Sequence, residues 1–559
     1  MDQPKESVMP VPRLFHALPC YALVVSLSLL HASPVQALVF TIDTTSDANL
    51  SDCTAAAADC SLRGAITKAN LTVARDQLNF DIPETDPGFQ TASGHWRILV
   101  GATTLPFLSE AMDVDGYSQP GASPATQSPD QGGINAVIKI ELMPAQIAGN
   151  QQVGLDIGLA NFNMPASTIR GLAISGFSSQ IQLAGGFGHA IEGCFLGTDP
   201  TGTTATISNP TVQTTAIRIQ GPGPYRIGGL QPAQRNLISG VRNGINWFVA
   251  SSGMVIQGNQ FGTNAAGTAA IPIHGDGFGI VGSWTNTLVG DDTTAGRNIF
   301  AAISFSAIRI FGQSINDFTG TRIVGNWFGT DITGTKALGN GRNPQSPTQK
   351  QATIHVSGSN CRLNIGGLNP GEPNRIAFGG AAGLLVDQCN GLSAIANEFI
   401  GNQLIPIDNA FGGGAVGATP NDVDDADSTG GNRLQNYPEL TLPPDFAPTG
   451  SDQVALQYRV DTATTNAVYP LTVYFFRGAC GGGSASLLAS DTYVSADAEQ
   501  LRSFNLQSGD VGNVLPLVVL AVDAQGNSSE FAPMIGERIF GDGLEDTPAA
   551  DPGGSCPGA

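Results

Sequence analysis

Positive charge is what this chain has least of. Its 25 Lys and Arg stand against 46 Asp and Glu, a net charge of −21, and the basic residues are scattered. A phosphate-neutralising surface needs clustered cations, so nucleic acid is a poor partner. Charge of either sign is scarce, at 13% of 559 residues, where about 25% is usual. Long Ala/Glu/Lys/Leu stretches that would build extended helices are missing. No segment after the N-terminal region reaches the roughly 18 consecutive apolar residues of a membrane helix. Zinc-ligand spacing, a phosphate-binding Gly loop and a nucleophile elbow are also lacking. What the chain has instead is glycine, 71 residues of it, a composition that favours many short strands joined by tight turns.

One line of residue types occurs four times. Ile323-Val324-Gly325-Asn326-Trp327-Phe328-Gly329-Thr330 matches Ile191 to Thr198, Ile256 to Thr263 and Ile395 to Asn402, at intervals of 65, 67 and 72 residues. A nearly fixed period is the signature of a solenoid. Between these copies lie shorter apolar alternations centred on 182, 218, 246, 279, 309, 355 and 385, so each long repeat holds about two coils. Strand alternation turns the Ile residues of Ile217-Arg218-Ile219 and Ile308-Arg309-Ile310 inward and the arginines outward. Leu196, Phe261, Phe328 and Ile400 are expected to stack inside as a ladder. Asn259 and Asn326 are expected at the corner before it, with Cys194 and Glu398 replacing them in the outer copies.

The N-terminus carries Lys5, Arg13 and His16, an apolar run from Tyr21 to Leu30, and Val35-Gln36-Ala37. This is the pattern of a signal peptide cleaved after Ala37, and it points to a secreted or cell-surface protein. Export permits disulfides, and Cys53 with Cys60 is the most local pair. The pairing of Cys194, Cys361, Cys389, Cys480 and Cys556 is open. Ser61 caps an expected helix whose Leu62, Ala65, Ile66 and Ala69 share one face, ending near Asn70. Such a helix would cover the open hydrophobic end of a first coil.

Cys60-Ser61-Leu62-Arg63-Gly64-Ala65-Ile66 resembles the signature of bacterial CSLREA-domain proteins, with Gly64 where that family usually has Glu. Asp115-Gly116-Tyr117-Ser118-Gln119-Pro120-Gly121-Ala122-Ser123-Pro124 and the Phe-Gly-Thr repeats also resemble segments of those secreted proteins. The resemblance implies export and a right-handed parallel β-helix, a pectate-lyase-like solenoid, but no settled reaction. Ala521 to Phe531 resembles the last strands of Ig-like modules, and Ile539 to Glu545 resembles a tail found on exported bacterial proteins.

The expected organisation is therefore all-β. A signal peptide (1–37) precedes a capping region with the first coils (38–150), parallel β-helix repeats (151–411) and an acidic Gly/Asp-rich linker (412–440). An Ig-like β-sandwich (441–535) and a flexible tail (536–559) follow.

Three sets of residues could carry chemistry. The outward row through Arg218, Asn246, Arg309 and His355 is a candidate surface for polysaccharide or cell-surface glycan; it holds bases and no carboxylate. His274, Asp276, Asp291 and Asp292 could supply the paired carboxylates of a glycoside hydrolase, although Asp291 aligns with the turn residues Gly229 and Gly367. Asp422, Asp424, Asp425 and Asp427 alternate closely enough to surround calcium, without EF-hand spacing. Glycan or surface binding is the leading expectation. A polysaccharide lyase or hydrolase and a purely structural repeat protein are the alternatives.

Overall fold

The computed structural model describes residues 36–147, 151–158, 163–207, 209, 211–311, 317–342, 351–359, 361–410, 417–441, 453–479, 483–507 and 517–533. Most of the expected signal peptide, the C-terminal tail, Cys480 and Cys556 lie outside them.

Three long sheets build a solenoid, and the chain visits them in turn, coil after coil. The first sheet has eleven parallel strands, from Val39–Ile42 through Met112–Asp115, Thr168–Arg170, Ala190–Glu192 and Arg226–Gly228 to Ser393–Ile395. The second has nine, from Val153–Ile157 through Thr215–Ile219 and Ile308–Phe311 to Ile407–Ala410. The third has eleven, beginning with the antiparallel pair Phe89–Gln90 and His95–Val100 and ending at Glu398–Ile400. One continuous apolar core fills the space between them. At a strand spacing of about 4.8 Å, eleven strands extend about 48 Å along the stack.

Two ladders hold the coils in register. In the first, Phe300 stacks on Phe261 at 4.7 Å and on Phe328 at 4.8 Å, with Phe278 edge-on at 5.1 Å. The second is a buried file of asparagines. The Nδ2 of Asn236, Asn259, Asn298, Asn326 and Asn374 each donates to the Oδ1 of the next, ending on Asn397, at 2.9–3.1 Å. Successive members are 23, 39, 28, 48 and 23 residues apart. Coil length varies freely while the corner is kept. In the last coil the expected alignment is off by one: Phe399 pairs with Ile376 under Phe328, and Asn397, not Glu398, continues the asparagine file. Ile400 accordingly falls beside the phenylalanine ladder, not in it.

Gly329 of the repeat has φ +82°, and an added Cβ would lie 1.8 Å from the Ala377 carbonyl oxygen. No side chain fits. The Thr-Asp that follows turns a hairpin in which Thr330 bridges Ala337 and Asp331 Oδ1 accepts from the backbone of Thr335 and Lys336. Asp331 is therefore a turn residue.

At the N-terminal end, helix α1 (Leu62–Ala69) lies over the first coil. Ser61 accepts from the Gly64 N–H, and Leu62, Ala65, Ile66 and Ala69 are buried. Its approach explains Gly64, since a Cβ there would meet the Leu50 oxygen at 1.7 Å. The Cys53–Cys60 disulfide closes the loop before it.

The other end is covered as well. Two three-stranded antiparallel sheets follow the coils, one of Glu439–Thr441, Gln453–Arg459 and Arg502–Gln507, the other of Leu471–Ala479, Gly483–Tyr493 and Leu517–Val522. Alternation divides the second sheet. Val473, Phe475 and Val519 pack toward its partner sheet, while Tyr474, Phe476, Val518 and Leu520 join the solenoid core. Phe531 wedges between Phe399 and Phe476. The C-terminal pair is thus the second cap, a role that strand periodicity alone does not reveal.

Residues 417–440 do not form a free linker: they pack into this junction. Glu530 is buried there, its carboxylate accepting from the N–H groups of Asn409 at 2.8 Å and Thr419 at 2.7 Å. Burial pushes its carboxyl up to about 7 against those hydrogen bonds, and nearby Asp408 adds to the rise. Burial likewise pushes Asp425 up to about 7, against hydrogen bonds from Asn436 and Thr462 and helped by Asp422 and Asp427. Both groups keep a proton in the folded chain that the unfolded chain has released by about pH 5. Their contribution to stability therefore falls as pH rises from about 4 to about 7, then levels. His189 and His355, held down to about 4 by burial, act in the opposite sense below neutrality, so a variant isolates the effect. Relative to wild type, Glu530→Gln should gain about 2–3 kcal/mol between pH 4.5 and pH 8 in urea unfolding. A difference that does not change with pH would refute this.

Candidate functional site

The nine-stranded sheet carries the row expected from strand alternation, and its register is continuous: Gln182, Arg218, Asn246, Gly279, Arg309, His355 and Leu385 are successive partners. The structure corrects the view that this row has no carboxylate, adding Asp156 before Gln182 and Asp408 after Leu385. Asp156 accepts from Gln182 Nε2 at 2.8 Å, and burial pushes its carboxyl up to about 6.

Between these ends the face carries cationic and aromatic side chains, with Asp387 as an acid near its C-terminal end. Two residues on from Asn246 and Arg309, the same alternation places Phe248 and Phe311 on the outer face, and both are exposed. The Arg218 guanidinium lies 5.2 Å above the Phe248 ring and that of Arg309 lies 4.3 Å above Phe311. The Gln220 amide, oriented to satisfy both neighbours, accepts from Arg218 Nε at 3.1 Å and donates to Gln182 Oε1 at 3.3 Å. Neither Arg218 nor Arg309 forms an ion pair among the described residues. His355 sits next to Arg309, with the Phe311 ring 6.5 Å from its own. Burial first, and then Arg309, lowers its imidazole to about 4, so the ring is neutral at pH 7. Its two nitrogens have no hydrogen-bond partner among the described residues.

The hydrolase candidates are divided. His274 and Asp276 immediately precede the strand Phe278–Ile280 of this sheet. Asp276 accepts from the Ser306 N–H at 3.1 Å, and burial pushes its carboxyl up to about 6 against the pull of Arg309 and Arg242. Asp291 and Asp292 follow a strand of the first sheet, Leu288–Val289. There Asp291 accepts from the Thr293 N–H and hydroxyl and from Gln257. It is a turn residue, and no carboxylate pair forms with Asp276. The next acid in register on the nine-stranded face, Asp387, lies three strands from the Asp276 coil. That is about 14 Å, beyond the roughly 5–9.5 Å between paired glycosidase carboxylates.

The acidic run does not converge either. The backbone is left-handed at Asp424 (φ 65°) and Asp425 (φ 57°). Asp425 turns inward to accept from Gln435, Thr462 and Asn436, and Asp422 accepts from the Ala426 N–H. Among the described residues no three His, Cys, Asp or Glu side chains lie close enough to hold a metal ion.

Acids do gather on the first sheet, in a groove of about 160 Å3 lined by Gln77, Asn79, Asp113, Asp115, Arg170 and Glu192. Sequence reading did not find it. Asp113 and Asp115 alternate visibly, but their partners come from distant coils. Every carboxylate there is held by a guanidinium: Arg75–Asp113 at 2.6 Å, Arg170–Asp115 at 2.5 Å and Arg226–Glu192 at 2.6 Å. Glycoside cleavage needs a carboxyl that gives up a proton, and these three are committed to ion pairs. The faces differ: Arg170 and Arg226 are paired with carboxylates on the first sheet, whereas Arg218 and Arg309 on the nine-stranded one lie over phenylalanine rings and form no ion pair among the described residues.

No family profile matches the chain, and no curated protein does. Among solved structures, the DFA-IIIase from Arthrobacter chlorophenolicus A6 is similar over 62% of this chain and 73% of its own, with 11% identity and a TM-score of 0.31. A likeness that slight assigns no activity here. No helix among the described residues is long and apolar enough to cross a membrane.

Proposed function

We propose that this protein is an exported solenoid that holds an anionic polysaccharide along the outer face of its nine-stranded sheet. The observation that carries the reading is the pair Arg218 and Arg309, each with its guanidinium over an exposed phenylalanine ring and without a carboxylate partner among the described residues. A guanidinium held over a ring keeps its donors in a fixed plane, suited to carboxylate or sulfate groups. The two arginines are three strands apart in register, about 14 Å, which fits an extended polymer better than a small molecule. Asn246, between them in register, offers an amide to sugar hydroxyls.

In this reading the coils wind right-handed, as parallel crossovers do in about 98% of cases. The C-terminal sheets form an Ig-like sandwich, and the chain belongs with the bacterial CSLREA-domain secreted proteins. Export agrees with the disulfides Cys53–Cys60 and Cys361–Cys389. It also suits the chain start, where the Leu38 N–H donates to buried Asp76 at 2.8 Å. Cleavage after Ala37 would make that nitrogen an ammonium opposite a carboxylate.

The test is retention on immobilised acidic and neutral polysaccharides. Wild type should be retained on the acidic polymer and released by salt, and Arg218→Ala/Arg309→Ala should bind about tenfold more weakly, the factor that about 1.4 kcal/mol represents. Equal retention on neutral polymer, or an unaffected double variant, would sink the proposal. Release of oligosaccharides would replace binding by cleavage.

A further inference from the structure

A second cationic site lies where the last coils meet the C-terminal cap. Ser359, Arg362, Asn390, Gly391, Arg433 and Gln525 line a cavity of about 350 Å3. Through Arg362, Gly391 and Gln525 it opens into a second space of about 490 Å3 that reaches Asn364, Thr472 and Tyr474. Ligand sites are common at such junctions.

The rim is cross-tied from four directions. The Cys361–Cys389 disulfide, with Cα atoms 5.5 Å apart, joins two neighbouring coils, and Arg362 and Asn390 are the residues next to its cysteines. The Cys361 N–H also donates to the Asn390 carbonyl at 2.9 Å. Asn432 is buried, accepting from the Leu392 N–H and donating to the Leu392 and Ser528 carbonyls. That anchor sets Arg433, whose N–H donates to Asn390 Oδ1 at 3.1 Å. The Gly391 N–H donates to Asn527 Oδ1 at 2.7 Å, which locks the turn bearing Gln525.

Backbone order contrasts with the state of the charges. Neither the Arg362 nor the Arg433 guanidinium forms an ion pair among the described residues, in a chain whose net charge is −21. Asp317 feels the field of Arg362 but forms no salt bridge with it.

We propose that this cleft binds the anionic end of a sugar chain. A carboxylate or sulfate would sit against Arg362 and Arg433. Hydroxyls would meet Ser359, Asn390 and Gln525, and the next sugar unit would extend toward Thr472 and Tyr474. The site is separate from the nine-stranded face and stands or falls apart from it.

Calorimetric titration of the full chain tests it with four probes: a uronic-acid trisaccharide, a sulfated trisaccharide, their uncharged counterpart and sodium sulfate. At least one anionic trisaccharide should bind saturably, and which of the two does so names the acid. Arg362→Gln/Arg433→Gln should weaken it by about tenfold or more, in the wild-type and in the Arg218→Ala/Arg309→Ala background alike. Equal affinity for the uncharged sugar, sulfate binding as tightly as the sugar, absence of binding by both anionic sugars, or loss only in the Arg218/Arg309 variant would each overturn the proposal. Should the double variant melt early, Arg362→Gln, which alters an exposed side chain, gives the same reading.

Discussion

Asn326→Ala is expected to lower the urea midpoint more than any outward-facing polar substitution in the solenoid, with a loss of about 4 kcal/mol. The side chain is fully buried. Its Nδ2 donates to the Val289 and Val324 carbonyls and to Asn374 Oδ1, and its Oδ1 accepts from Asn298 Nδ2. Truncation leaves several of these groups unpaired and dry, and each such group costs about 1–3 kcal/mol. Water entering the corner would recover part of that, so the sum of single costs is an upper bound. Asn246→Ala, on the outer row, should shift the midpoint by less than about 0.5 kcal/mol. Equal midpoints for the two variants would mean that the asparagine file contributes nothing to coil registration.

Phe300→Ala is expected to cost about 3–5 kcal/mol. The ring stacks on one phenylalanine above and one below and meets a third edge-on. Removing it opens a cavity whose walls belong to three coils, and close-packed coils in register cannot collapse to fill it. The unfolding midpoint measures the loss. Phe300→Leu, which keeps most of the volume, should recover more than half; a leucine variant as unstable as the alanine one would show that aromatic stacking, not volume, dominates.

Much of this was legible one strand at a time. Ser61 and the buried face of Leu62, Ala65, Ile66 and Ala69 were readable because capping and the 3.6-residue period act within a few residues. The row from Gln182 to Leu385 was readable for the same reason, since alternation is a property of the extended chain. The fourth repeat copy shows where that logic slips. Ile395 to Asn402 matches the motif in type, yet the buried positions are Ala394, Asn397 and Phe399. Asn397 and Phe399, one residue away from the expected Glu398 and Ile400, hold the corner and the ladder there, and one residue of slip exchanges the inside and outside of a strand. The acidic run failed for a different reason. Spacing suggested convergence, but Asp425 is taken up by Gln435, Asn436 and Thr462, and no three acids close on one point among the described residues.

By itself the sequence determined the coils, their inward and outward residues up to the last coil, the helical cap and the Cys53–Cys60 bridge, all of which follow from local geometry. Only the tertiary structure decided which arginines are neutralised. Arg170 finds Asp115 across 55 residues and Arg226 finds Glu192 across 34, whereas Arg218, Arg309, Arg362 and Arg433 find no carboxylate among the described residues. Partnership across coils depends on summed coil lengths, which range from 23 to 48 residues along the asparagine file. The C-terminal cap was settled in the same way, because a sheet with two apolar faces shows its second partner only when the last coil is in place.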